Sequence, residues 1–233
     1  RLQSMFRVLV AGSGKIGSLI ACLLKDSGRY EVHIGDISFH GADVTHLLRV
    51  FPEIKKSVMD FSDQVAVGEY VQTNGIQAVI SSLPYFLNPH VAEMAERNHI
   101  HYFDLTEDTY VTSCVKALAK DAKKAFVPQC GLAPGFINLA ANSIMKTFDR
   151  LDSAKLRVGA LPQNSNHALH YALTWSTDGI NNEYGNLCHA IERGEQVMIP
   201  ALDDLEHIQL NGRLYEAFHT SGGVGHLVDI YKS

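Results

Sequence analysis

Phe6-Arg7-Val8-Leu9-Val10-Ala11 runs directly into Gly12-Ser13-Gly14-Lys15-Ile16-Gly17. The first six residues form a short apolar run, the pattern of a strand buried on both faces in a parallel sheet. After the glycines, Ile16, Leu19, Ile20, Leu23 and Leu24 recur at helical spacing, and Ser27-Gly28 ends the helix. Glu31-Val32-His33-Ile34-Gly35-Asp36 then reads as a second strand. A strand, a glycine turn, a helix and a strand within about 30 residues make a βαβ unit.

The rhythm continues outward from this unit. Helices are expected over 43–51, 64–73, 89–97 and 109–123, with Asn88 as N-cap of the third. Strands are expected over 57–59, 78–82, 101–105 and 125–128. Alternation of this kind predicts an α/β fold, a Rossmann-type doubly wound parallel sheet, over residues 5–130. It breaks after Cys130, at the turn-rich Gly131-Leu132-Ala133-Pro134-Gly135. A helix over 136–148, strands over 154–159 and 168–176, a helix over 181–193, and short strands over 196–199, 206–210 and 213–218 follow. Residues 131–233 are therefore expected to form a second α+β domain rich in antiparallel strands.

Composition narrows the function classes. The 233 residues carry a formal charge of -5, and 46% are hydrophobic, so neither a nucleic-acid-binding polycation nor a disordered chain is indicated. No run is apolar and long enough to span a bilayer. Cys22, Cys114, Cys130 and Cys188 are scattered without a CxxC pair, and no signal peptide is seen. They read as reduced thiols of a cytoplasmic protein. Residues 1–4 precede Met5 and read as a remnant of an expression tag. The twelve histidines give only His99-x-His101 and His167-x-x-His170 as close pairs, without ligand spacing, and no metal is expected.

The GxGxxG pattern sits where a dinucleotide site needs it: a strand before, a helix after, and an acid ending the next strand. Gly12 allows the tight turn, Gly14 a close approach of the pyrophosphate, and Gly17 close packing of helix on sheet. Ser13, Lys15 and Ile16 complete the loop. Asp36 is placed to accept hydrogen bonds from the adenosine ribose and to repel a 2′-phosphate; no Arg follows it, so NAD is favoured over NADP. Asp60, Ser82, Leu83 and Pro84 follow strand ends, where ligands sit in open α/β sheets, or else serve ordinary turns.

The stretches Val79–Leu87, His101–Leu105, Pro128–Gly135, Arg157–Pro162, Thr174–Ser176, Asn182–Tyr184 and Thr220–Gly225, added to the N-terminal unit, resemble the saccharopine dehydrogenase-like oxidoreductases. Within them the chain looks most like the L-lysine 6-dehydrogenase branch. The resemblance implies NAD-dependent oxidation of an amino-acid amine, with L-lysine oxidised at its ε-carbon. A saccharopine-type dehydrogenase or reductase, and a non-catalytic NAD-binding subunit, stand as alternatives. It also implies a further C-terminal segment, so the second domain is expected to be incomplete at residue 233.

Asp104 is the residue expected to act as general base or ammonium partner, with Thr106, Glu107 and Asp108 in the same corner; the alternative is that the acids serve the next helix N-terminus. Cys130 is expected beside the nicotinamide, or as a small core residue. Thr106, Gly131, Arg157, Tyr171 and Trp175 are the expected substrate-binding residues. Arg157 suits a bidentate carboxylate clamp or a surface charge. Tyr171 and Trp175 share one side of a predicted strand, lining a pocket or a core. A small amino acid is the expected partner, with no nucleic acid and no membrane, and the protein is expected to form a homodimer, because an open antiparallel sheet leaves an edge to cover.

Overall fold

The computed structural model describes residues 5–159, 161–164 and 177–232. The chain divides into two compact units. The first comprises residues up to Thr106 together with Tyr110–Pro128, and the second Glu107–Thr109 together with the chain from Gln129 onward.

The first unit is a six-stranded parallel sheet. In chain order it runs β1 (Phe6–Ala11), α1 (Lys15–Asp26), β2 (Tyr30–Asp36), α2 (Ala42–Val50), β3 (Lys55–Val58), α3 (Gln64–Asn74) and β4 (Ala78–Ser81). A 3-10 turn over Tyr85–Leu87 leads to α4 (Asn88–Arg97), β5 (His101–Asp104), α5 (Thr109–Ala119) and β6 (Phe126–Val127). The strand order is β3-β2-β1-β4-β5-β6, a Rossmann-like arrangement in which the direction of winding reverses between β1 and β4.

Successive side chains of a strand point to opposite faces, and β1 shows why its run from Val8 to Ala11 is continuously apolar. Leu9 and Ala11 join Val79 and Tyr102 in a core built with α3, α4 and α5. Val10 joins Val32, Ile34, Ala21, Val44 and Leu47 on the opposite face, under α1 and α2. Each fully buried Val or Leu side chain contributes roughly 1.5–3 kcal/mol.

A histidine is among the polar groups sealed into this unit. His33 of β2 has no exposed side-chain surface; its Nδ1 pairs with the Tyr70 hydroxyl at 2.8 Å and its Nε2 faces Glu31 Oε1 at 3.4 Å. Lys55 holds Glu31 at 2.7 Å and Arg7 holds it at 3.2 Å, and Lys55 above all draws its carboxyl down to about 2. Burial holds the His33 imidazole below its ordinary 6.5, outweighing the pull of Glu31. Both folded values lie below the unfolded ones. Stability is therefore full above about pH 6.5, falls below it as the unfolded His takes its proton first, and falls again below about 4.5 as unfolded Glu31 does. A thermal-unfolding series against pH is expected to show His33→Gln losing less stability than the parent between pH 7 and 5. Parallel curves would contradict this account.

The second unit contains α6 (Phe136–Met145), α7 (Thr177–Gly185) and the hairpins β7 (Cys188–Glu192) with β8 (Glu195–Ile199) and β9 (Glu206–Leu210) with β10 (Arg213–Ala217). It closes with the short α8 (Leu227–Tyr231). Both hairpins are antiparallel. Three expectations change here. Residues 154–159 form no strand among the described residues: Lys155 and Arg157, two apart on an extended chain, both reach Glu206, but no ladder partner is found. The helix expected over 181–193 ends at Gly185, because Arg193 and Gly194 both take positive φ (53° and 87°) and turn a hairpin. Asn88 does not cap α4. It lies within the helix, buried, and its Oδ1 accepts the Ser81 hydroxyl at 2.7 Å. The strand expected over 168–176 falls outside the described residues.

Candidate active site

The site begins where the winding reverses. Gly12 follows β1 with φ +99°, and a Cβ there would lie 2.7 Å from Ser82 Oγ. A Cβ on Gly17 would lie 2.0 Å from the Gly12 carbonyl oxygen, so the first turn of α1 rests directly on the loop backbone. At Gly14 an added Cβ would meet nothing within 4 Å. Gly12 and Gly17 thus close the turn, whereas Gly14 leaves space over it. Gly14 is also the N-cap of α1, which has no side-chain cap and no acid in its first turn. Helix N-terminal N–H groups facing open space suit an anion. Gly14, Lys15 and Ile16 are exposed while Ser13 is buried.

Ser13 ties the loop to β2. Its N–H donates to Asp36 Oδ2 at 2.6 Å, and its hydroxyl donates to the Ser38 carbonyl at 3.1 Å. Asp36 Oδ1 faces the Ser38 N–H at 3.4 Å. Asp36 therefore stands half-buried at the end of β2, against the glycine loop, where a ribose-binding acid belongs. Ser82 closes the other side. Its N–H and hydroxyl both donate to the Ala11 carbonyl, at 2.8 and 2.9 Å. Leu83 packs on the core and Pro84 is exposed, its carbonyl accepting from Leu87. Asp60 is exposed and turned onto Ser62, whose hydroxyl and N–H hold its carboxyl below the usual range. The structure thus brings Gly12–Gly17, Asp36 and Ser82 together, while Asp60 caps its own turn.

Asp104 ends β5 with no exposed surface. Its Oδ2 accepts the Tyr102 hydroxyl at 2.7 Å and its Oδ1 accepts the Thr106 N–H at 3.0 Å. Thr106 is also buried. A carboxylate so enclosed acts through the groups it holds and through its field, and does not meet solvent.

In the second unit, Cys130 is exposed, which removes the reading of a small core residue. Gly131 is fixed by Gly135, where a Cβ would lie 2.0 Å from the Gly131 carbonyl oxygen. Arg157 is engaged by Glu206, with its Nε 2.8 Å from Oε1, and Lys155 holds the other oxygen at 2.9 Å. That carboxyl is accordingly lowered, by Lys155 first. The Arg157 guanidinium serves an internal ion pair. Tyr171 and Trp175 lie outside the described residues. Among the described residues no group of three or more His, Cys, Asp or Glu side chains is arranged to hold a metal, and no helix is long and apolar enough to cross a membrane.

Residues missed from sequence gather around the Thr220–Gly225 turn. Glu183 of α7 is driven up by burial and by the neighbouring Glu107 charge, against the pull of Thr220. Asn182 Nδ2 donates to Glu107 Oε1 at 3.2 Å. A Cβ on Gly222, at φ +82°, would lie 2.3 Å from the Glu107 carbonyl oxygen. Asn138 is buried beside the same turn. The Asn182-Glu183-Tyr184 and Thr220–Gly225 stretches were visible as motifs, but spacing gave no reason to join them to Glu107.

Comparison with known proteins completes this picture. The profile of the saccharopine dehydrogenase NADP binding domain matches residues 8–128, and that of the saccharopine dehydrogenase C-terminal domain matches residues 131–231. Saccharopine dehydrogenase (L-Glu forming) from Saccharomyces cerevisiae superposes with a TM-score of 0.68 at 20% identity, covering 93% of this chain and 50% of the yeast chain. The chain thus spans about half the length of that enzyme. Leucoanthocyanidin reductase from Vitis vinifera, solved with NADPH, gives a TM-score of 0.42 at 15% identity over 49% of this chain and 46% of its own. The dTDP-glucose 4,6-dehydratase from Bacillus anthracis, solved with NAD, gives 0.43 at 14% over 52% and 53%. These two likenesses are too partial to bear on chemistry.

Proposed function

The chain belongs to the saccharopine dehydrogenase family, and from that premise we propose that it oxidises the amine-bearing carbon of an amino acid with NAD, L-lysine at its ε-carbon being the substrate. The observation that carries the redox reading is the glycine loop held between Asp36 and Ser82, open over Gly14. These residues fit a dinucleotide: Gly14 and the α1 N-terminus for the pyrophosphate, Asp36 for the adenosine ribose. When bound, the nicotinamide supplies an acceptor for the hydride.

The chain's own residues then have two tasks, to take a proton from the amine and to favour the positive charge that forms on its nitrogen. An ammonium nitrogen has no lone pair with which to expel a hydride, so the amine must first lose its proton to a general base. Asp104, at the carboxyl end of β5, favours positive charge on that side of the sheet through its field and holds Thr106 in place. Cys130 presents an exposed thiol on the second unit. Loss of hydride from the carbon that bears the neutral amine gives an iminium ion, which water hydrolyses to a semialdehyde and an ammonium ion.

Lysine is preferred over saccharopine because the described arginines of the second unit are paired or sit at turns, Arg150 with Asp152 among them. Arg157 is paired with Glu206, and Arg193 and Arg213 sit at the hairpin turns. The family match itself favours the saccharopine-type alternative. We also propose a cytoplasmic homodimer, in keeping with four unbridged cysteines and the exposed leucines of the β9–β10 hairpin.

NAD preference is tested at Asp36. Asp36→Ala is expected to raise the NAD dissociation constant about tenfold, roughly 1.4 kcal/mol, and to narrow the gap to NADP, read by titration with each reduced nucleotide. An unchanged NAD-to-NADP ratio would remove Asp36 from the discrimination.

A further inference from the structure

Asn138 does more than start α6. Its Oδ1 accepts the Gly135 N–H at 2.6 Å, the N3-to-N-cap bond that satisfies one free N–H at the start of the helix. Any side-chain acceptor at this position would serve that purpose. Its Nδ2 meanwhile donates to the Val224 carbonyl at 2.6 Å and to the Gly223 carbonyl at 3.2 Å. One N–H donor and two carbonyls around a single side chain fix the orientation of the amide. The group is 2% exposed. Helix capping does not use the two donated bonds, and among acceptor side chains of this length only an amide can make all three.

The turn latched by those two bonds is fastened elsewhere to Glu107, to α7 and to the chain beside Cys130. The Ser221 N–H donates to the Glu183 carbonyl at 2.8 Å, and its hydroxyl to the Leu187 carbonyl at 3.0 Å. Gly222 lies so close to Glu107 that no side chain fits. A Cβ on Gly225, at φ +55°, would lie 3.1 Å from Gln129 Oε1 and 3.4 Å from Asn138 Nδ2. The Ser221–Gly225 turn therefore touches Glu107, Glu183 and the residue before Cys130. We propose that Asn138 is a positioning residue for amine oxidation: acting through the Ser221–Gly225 turn, it sets Glu107 and Glu183 in register with the turn that carries Cys130. This rests on the reaction proposed above.

Two variants separate latch from cap. Asn138→Asp keeps the acceptor for the Gly135 N–H but turns a charged oxygen toward two carbonyls; Asn138→Ala loses both functions. Both are expected to bind NAD within about twofold of the parent, because the glycine loop belongs to the other unit. Both are expected to lose kcat by about 100-fold, the loss that a displacement on the order of 1 Å brings, while KM for the amino acid moves much less. Asn138→Asp should do so with the smaller fall in Tm. Gly225→Ala disturbs the latch from its other side and should reproduce the kcat loss. The rate of Cys130 alkylation by iodoacetamide, located by peptide mass spectrometry, should change at least about threefold in every variant. An Asn138→Asp protein with the parent's kcat, or with the parent's Cys130 alkylation rate, would overturn the proposal. If the parent itself oxidises no amine, the reaction reading fails, and the alkylation rates still decide whether Asn138 positions this turn.

Discussion

Gly17→Ala is expected to cost at least about 100-fold in dinucleotide affinity, roughly 2.7 kcal/mol, and to lower the melting temperature as well. The new Cβ would stand 2.0 Å from the Gly12 carbonyl oxygen, 2.8 Å from its carbon and 2.5 Å from Ser82 Oγ. Two of these atoms are backbone and have no rotamer by which to escape. Relief requires α1 to lift from the sheet, and overpacking of this kind costs typically 1–3 kcal/mol. The same movement carries the helix N-terminus away from the place where the pyrophosphate binds. Gly14→Ala is the control, since its Cβ enters open space. It should leave the melting temperature unchanged and weaken binding only by crowding the ligand. Thermal unfolding with and without NADH, beside a fluorescence titration, checks both. Parent-like affinity in Gly17→Ala would show that the loop does not hold the cofactor.

Asp104→Asn is expected to lower kcat by at least tens of fold and to leave NAD affinity within about twofold. The carboxylate accepts from the Tyr102 hydroxyl and from the Thr106 N–H, in a place without exposed surface. An amide can keep its oxygen on the Thr106 N–H, so its NH2 faces the Tyr102 hydroxyl, which must then accept and turn its proton to the Asn88 carbonyl, 3.5 Å away. The substitution therefore removes the negative charge at the end of β5 and weakens the hold on Tyr102. Tyr102→Phe separates the two effects. It gives up one hydrogen bond and keeps the charge, so it should cost stability and retain most of the turnover. Steady-state kinetics and melting temperatures on the pair provide the check. Full kcat in Asp104→Asn would remove this carboxylate from the mechanism.

The doubly wound sheet was legible because its signals are local. β1 is apolar from Val8 to Ala11, where both of its faces are covered, and the glycine triplet marks where the chain must turn tightly against Ser82. The two hairpins show where local reading stops. Asn211-Gly212 carries its turn in the residue types, and the strands on either side were expected. Arg193-Gly194 adopts the same left-handed pair with an arginine in the first place, which no propensity favours, so the first strand of that hairpin was read as helix while 196–199 was read as a strand. At residues 154–159 the alternation was present and a ladder partner was not found among the described residues; periodicity reports which way side chains face, not whether another strand lies alongside.

The site divides in the same way. Gly12–Gly17 and Asp36 could be placed because a sequence motif and a strand end fix them. Arg157 was a suitable carboxylate clamp by residue type, but its partner Glu206 lies 49 residues on. Asn138 and the Gly223–Val224 carbonyls are 85 and 86 residues apart, and Glu107 meets Asn182 across 75. Contacts of that range are made by the fold, and no spacing rule announces them.

The most direct test is to incubate the chain with NAD and L-lysine, with saccharopine and other amino acids in parallel, and to follow reduced nicotinamide by its near-ultraviolet absorbance. The proposed function predicts reduction of NAD with L-lysine, faster than with saccharopine and faster than with NADP in place of NAD. Reduction with saccharopine alone would keep the family and overturn the substrate. A protein that binds NAD and reduces it with none of these amines would contradict the oxidation of an amino-acid amine itself.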